Sequence, residues 1–148
     1  MAYVLFRYLH LIAVLVLIGG VIIENMAIRP KINAEDVKNL ARIDSFCGLA
    51  ALGIALFGSV LWFGVGKPAT FYSDNPLFHA KLGLLVTLLL TAITPALFFI
   101  RNRNFNPADN AELCVPRVVR ICLRIELLLL LIIPILAWLV ARGAGLNL

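Results

Sequence analysis

Charge is scarce in this 148-residue chain: 14% of the residues are Asp, Glu, Lys or Arg, 62% are hydrophobic, and the mean hydropathy is +0.99. A soluble domain carries about a quarter charged residues, so a water-surrounded globule is excluded. One small integral membrane domain is expected instead. Cysteine is nearly absent. Cys47, Cys114 and Cys122 have no pair spacing of the metal-site kind and give no disulfide framework. Methionine is limited to Met1 and Met26, which leaves a soft-metal pathway without thioether ligands in series. No repeat or low-complexity tract occurs, and nothing alternates with the period of a strand. No small-x-small cleavage site precedes Asn25, so the first apolar run is expected to stay as a helix rather than leave as a signal peptide. The net charge of +5 and pI near 9.5 would suit nucleic acid. The basic residues flank apolar runs, however, where membrane topology accounts for them, and no nucleic-acid partner is expected.

What the chain does have is apolar length. A bilayer core needs about 20 residues of helix, and four segments reach it: residues 3–24, 43–66, 76–100 and 119–140. Irregular backbone is not tolerated in lipid, so the fold class is all-α, a four-helix membrane bundle of up-down topology. The connectors carry the breakers: Pro30 in the first, Gly66 and Pro68 in the second, Pro107 and Pro116 in the third. Ser73, Asp74 or Asn75 can cap the third helix, with Pro76 in its first turn. Pro95 and Pro134 lie inside spans and are expected to bend them. Arg29, Lys31, Lys38 and Arg42 crowd the first connector, and Arg101, Arg103, Arg117 and Arg120 the third, whereas the second has Lys67 and the tail Arg142. By the positive-inside rule both termini are expected on the outer, periplasmic side of a bacterial inner membrane. Tyr3, Tyr8, Trp62, Tyr72 and Trp138 then form an outer aromatic belt.

The chain has two histidines, His10 and His79. With this topology they lie at depths of roughly 10 and 7 Å on helices one and three. Those helices are diagonal partners, roughly 11–14 Å apart, which leaves room for a flat cofactor with an imidazole on each side. Two histidines so placed suit a six-coordinate haem, and His10 and His79 are the candidate metal ligands. Two other readings stay open: proton or small-ion handling, and plain interhelical hydrogen bonding. Tyr3, Arg7, His10, Val14, Leu17, Val21 and Glu24 recur at heptad-like spacing and are expected to face the bundle. Arg7, one turn above His10, can pair with a haem propionate or snorkel to the interface. Lys81 stands about 200° around its helix from His79, so only one of the two faces the interior. Gly19, Gly20, Gly53 and Gly58 are expected to allow close helix approach.

Helix four opens with RICLRIELL, where Arg117, Arg120 and Arg124 share a face and Glu126 points away from Arg124. Glu126 lies about two turns inside, where a bare charge costs up to about 3 kcal/mol. It needs a polar partner or a proton. Glu24, Arg42, Asp44 and Ser45 lie at the same level, so a polar network of Glu24, Arg42, Asp44, Arg124 and Glu126 is expected, serving either pairing or proton handling.

Three stretches carry a resemblance: YLHLIAVLVLIGG in helix one, FYSDNPLFHAKLGLL entering helix three, and RIELLLLLIIPILAWLVARG in helix four. Together they resemble the DUF2214 family of small bacterial membrane proteins of unknown function, over nearly the whole chain, with Asn75–Gly83 the most specific run. More distantly the pattern is similar to HemJ-type protoporphyrinogen oxidases and CopD-like proteins. The HemJ-type pattern of an early histidine, a Lys-Leu pair and an Arg followed by Glu falls on His10, Lys81–Leu82, and Arg124 with Glu126. Its Asn-Glu pair reads Ile125–Glu126 here. That resemblance implies haem b. The reading expected from the chain is a haem b-binding membrane protein with an electron-transfer or redox role, His10 and His79 on the iron, Arg7 and Lys81 on propionates. A quinone or other redox carrier is the implied partner, porphyrinogen a substrate by resemblance only. The competing reading is a non-enzymatic membrane protein: an assembly factor, a small transporter, an oligomeric scaffold of like chains, or a CopD-like metal handler.

Overall fold

A computed structural model describes residues 1–65, 69–105 and 112–144. In chain order they form α1 (Ala2–Ala27), β1 (Lys31–Ile32), α2 (Ala34–Val60), a π-helical turn (Leu61–Val65), α3 (Ala69–Ser73), α4 (Pro76–Asn102), β2 (Leu113–Cys114) and α5 (Arg117–Ala141). Four helical stretches, α1, α2 with its π turn, α4 and α5, are long and apolar enough to cross a membrane. Gly66, Lys67, Pro68 and Pro107 lie outside the described residues.

Each start has a local cause. Asn33 caps α2, its side-chain oxygen accepting from the Asp36 amide at 2.7 Å, and Glu35 and Asp36 add negative charge to the first turn. This polar start places the beginning of α2 nine residues ahead of Ile43, where apolar character begins, because the helix runs beyond the lipid-facing part. Asn75 caps α4, accepting from the Leu77 amide at 2.9 Å, and Pro76 needs no hydrogen-bond acceptor in the first turn. The Asn75 amide also donates to the Ala144 carbonyl at 2.9 Å, which ties the start of α4 to the end of α5. Asn75 is fully buried, and both of its polar atoms are in use.

Packing proceeds around a square. The most extensive contacts are α1 with α2 and α4 with α5, and α2 on α4 and α1 on α5 close it. Helices α1 and α4 are left on one diagonal. Val21, Leu17, Cys47, Ile54, Leu88 and Leu130 form the central core. A second cluster, Ile32, Val37, Leu40, Phe99, Val119 and Leu123, fills one end. There β1 and β2 pair antiparallel, with Lys31 opposite Cys114 and Ile32 opposite Leu113, and the Val115 amide donates to the Pro30 carbonyl at 2.9 Å. This ladder, too short to leave a periodic signal, is the one departure from an all-helical fold among the described residues. The outer face is apolar: Leu15 is 68% exposed and Leu49 65%, whereas Val21 is at 0%. Only a lipid surround makes that inversion favourable.

The α1–α2 seam depends on small residues. A side-chain carbon at Gly20 would run into the Cys47 thiol, one at Gly53 would touch the Ala13 methyl at 3.4 Å, and one at Gly58 would meet the His10 ring at 3.2 Å. Gly19 meets nothing within 4 Å and takes no part in the seam.

Candidate functional site

His10 comes from the stripe of α1 that continues through the buried Ala13, Leu17, Val21 and Glu24. Its ring lies on the bare backbone of Gly58, with Cε1 and Nδ1 nearest. Nδ1 is buried against α2, where the Ile54 backbone is the polar group acting on the ring, though no hydrogen bond of good geometry forms among the described residues. Aromatic rings from four elements surround this end of the bundle. Phe6 and Phe57 have centroids 6.2 Å apart, and Trp62 of the π turn meets Phe78 of α4 edge-on at 4.8 Å. Trp62 Nε1 is a second buried donor without a partner among the described residues. A π turn adds a residue to the helical ladder and is often found beside functional groups. Here it brings Trp62 against α4.

His79 turns away. Its side chain is exposed, and Nε2 lies 2.7 Å from the Ser73 carbonyl oxygen, so it ties α4 back to α3. The structure therefore does not bring His10 and His79 onto one cavity. Lys81 takes the inner face instead. It is half-buried, its ammonium sits 5.3 Å from the centre of the Phe78 ring, and its charge acts on His10 across the bundle. The run NPLFHAKLG thus divides its work: Asn75 caps, His79 holds the preceding turn, and Lys81 faces the interior.

Arg7 lies one turn beyond His10 but is exposed. Its guanidinium is held by Tyr3, with Nη1 3.4 Å from the hydroxyl and Cζ 6.0 Å from the ring centre. Of the inward stripe expected on α1, Tyr3 and Arg7 therefore face outward, and the buried part begins at His10.

A second polar site lies toward the ladder end. Glu24 of α1, Asp44 of α2 and Glu126 of α5 are close enough to interact electrostatically, and Cys47 feels all three. Glu24 is 1% exposed and Glu126 4%, and an Oε1 atom of each lacks a hydrogen-bond partner among the described residues. Two members of the expected network are absent from it. Arg42 is exposed, and Arg124 lies on the outer face of α5. The Ser45 hydroxyl, expected to reach Glu126, donates instead to the Ala41 carbonyl at 2.8 Å. The cluster is thus made of acids alone among the described residues, because the cations at this level face the outside of the bundle. Asn25, overlooked in the sequence, is the one amide beside it. It donates from Nδ2 to the Val21 and Leu123 carbonyls, both at 2.9 Å, joining α1 to α5. Its signal was a polar residue one position from Glu24 in an apolar helix. Among the described residues no three His, Cys, Asp or Glu side chains are grouped as a metal ion requires.

A family model described as predicted membrane protein, DUF2214, matches residues 2–145. No curated protein and no solved structure matches the chain.

Proposed function

Given that the chain belongs to the DUF2214 family of predicted membrane proteins, we propose that it is a haem b-binding electron carrier in which His10 is the protein ligand. The observation that carries this reading is the His10 imidazole inside the bundle, with Nδ1 turned to the α2 backbone at Ile54 and Gly58. A histidine that ligates a metal through one ring nitrogen turns the other to a backbone carbonyl or carboxylate, so Nε2 of His10 is the nitrogen that would hold the group. The residues fit a group held by one histidine: the second imidazole is engaged with the Ser73 carbonyl. Lys81, rather than Arg7, supplies positive charge beside His10 and suits a propionate. Phe6, Phe57, Trp62 and Phe78 offer ring faces and edges to a flat apolar macrocycle. Haem bound there supplies one-electron chemistry. Gly58, by lacking a side chain, holds the imidazole close to α2 and fixes its plane. A quinone within the bilayer is the class of partner that such a carrier would serve.

Haem-replete protein purified in detergent is expected to show a Soret band and, when reduced, a sharp alpha band. His10→Ala removes them and His79→Ala leaves them. Loss on His79→Ala with retention on His10→Ala, or colourless haem-replete protein, would overturn this assignment.

The same reading includes an orientation. Both termini and the π turn lie on the periplasmic side of a bacterial inner membrane, with the β1–β2 ladder inside, as the basic residues of the first and third connectors require. Cys114 is exposed in that ladder. It is expected to react with a membrane-impermeant thiol reagent only after cells are opened, and labelling in intact cells reverses the orientation.

A second reading, a small proton- or cation-coupled transporter, is favoured by one observation: three carboxyl groups from three helices lie within electrostatic reach of one another inside the bundle, with no cation paired to them among the described residues. Intramembrane acids of this kind mark ion or proton paths. Proton uptake into sealed vesicles holding the chain, lost on Glu126→Gln, is its test; equal uptake with and without the protein removes it.

A further inference from the structure

The outer face of α5 carries a feature that neither reading uses. Arg117, Arg120, Ile121 and Arg124 line a groove of about 210 Å³ at the start of the helix. Among the described residues no carboxylate pairs with these guanidiniums, and the one ion pair is Lys31–Glu112, 3.9 Å, on the connectors. The Arg120 Nε is buried and has no hydrogen-bond partner among the described residues. Positive charge at the end of a span is explained by orientation alone. A groove lined by three arginines, with a buried donor left unsatisfied, is not. Surface cations that serve only to orient a helix extend into water.

From the groove an apolar strip runs up the same face. Ile121 is 53% exposed, Leu128 59% and Ile132 46%. Spacings of seven and four residues keep them on one side of the helix, in line with Arg117 and Arg124. Three forked cations at the foot of an exposed aliphatic strip match a ligand with the same order of parts, a phosphate carried on long acyl chains. Guanidinium pairs with phosphate oxygens through two parallel hydrogen bonds. A free phosphate would leave the strip unused, and a phosphopeptide would place polar backbone against it.

We propose that this groove is a binding site for an anionic phospholipid, with the headgroup phosphate on Arg120 and Arg124 and an acyl chain along Ile121, Leu128 and Ile132. The placement holds whichever way the chain crosses the bilayer, and it does not depend on haem.

Delipidated protein in a neutral detergent, titrated with phosphatidylglycerol or phosphatidylcholine and read by native mass spectrometry, tests it. Phosphatidylglycerol is expected to bind at least tenfold more tightly than phosphatidylcholine. Arg124→Gln, at an exposed position where folding is not at stake, should remove most of that preference. Arg120→Lys keeps the charge but loses the fork, and should reduce it. Arg101→Gln makes the same charge change in the last turn of α4 and should leave it intact. Three results overturn the proposal. The two lipids may bind equally. Arg101→Gln and Arg124→Gln may weaken binding equally, which marks general surface charge. Inorganic phosphate at millimolar concentration may displace phosphatidylglycerol, which marks a site for the free anion.

Discussion

Gly20→Ala is expected to destabilise the protein by about 1–3 kcal/mol, the usual cost of forcing an extra methyl group into a packed core. It is a substitution that would ordinarily strengthen a helix, because alanine is the better helix former. The local sign is reversed by the partner helix: the new carbon would occupy the space of the Cys47 sulfur. Cys47 is 7% exposed, so its thiol cannot swing into solvent or lipid without opening the seam. The next neighbour, Ile43 Cγ2, would be at 3.7 Å, an ordinary contact. The clash is therefore with one atom, and its removal should cure it. In a Cys47→Ala background Gly20→Ala should be neutral or stabilising, with a coupling of about 0.5–3 kcal/mol between the two positions. Unfolding of the four variants in mixed detergent, followed by loss of helix signal, gives the cycle. Additive effects would mean that α1 and α2 do not approach at Gly20 as described.

Glu126→Gln carries the opposite sign: it should make the protein more stable at neutral pH. Glu126 shares the interior with Glu24 and Asp44 and has no cation beside it among the described residues. Removing one potential negative charge lowers the repulsion that the other two feel. The amide also brings a donor near the Glu24 carboxyl, whose Oε1 has none among the described residues. The gain is expected to be about 1–3 kcal/mol. It belongs to the pH range in which a carboxyl ionises in water but burial beside other acids opposes the charge, so it should shrink as the pH is lowered and the carboxyls are protonated in water as well. Thermal unfolding of wild type and Glu126→Gln at pH 8 and pH 5 measures this. A loss of stability at pH 8 instead would show that the carboxylate has a favourable partner. Glu126→Leu separates charge from hydrogen bonding, since it removes the repulsion without supplying donors.

These two sites differ in how far they can be read from sequence. The four spans follow from apolar run length, because lipid demands about 20 residues of helix and the chain offers that four times. The level of the acids is legible in the same way: Glu24, Asp44 and Glu126 are set by counting from the connectors. Which neighbours join them is not. Arg42 and Arg124 stand at the right height but face outward, and height alone does not give rotation about the helix axis. His79 and Lys81 pose the same problem. Their faces differ by about 200°, and the choice between them is made by Asn75 and Ser73, which fix where α4 begins and what its first turn bonds to. The polar first turns of α2 were hidden for another reason. Hydropathy locates the part of a helix that meets lipid, and α2 projects beyond it.

The β1–β2 ladder, small as it is, makes the two ends of the bundle mechanically unequal. At one end the connectors α1–α2 and α4–α5 are stitched by directional main-chain bonds, with Val115 to Pro30 added. At the other end the two hairpins meet through ring contacts such as Trp62 on Phe78, which tolerate sliding and tilt. Relative movement of the helices is therefore expected to be smaller at the ladder, next to the acids, than at the end that holds His10.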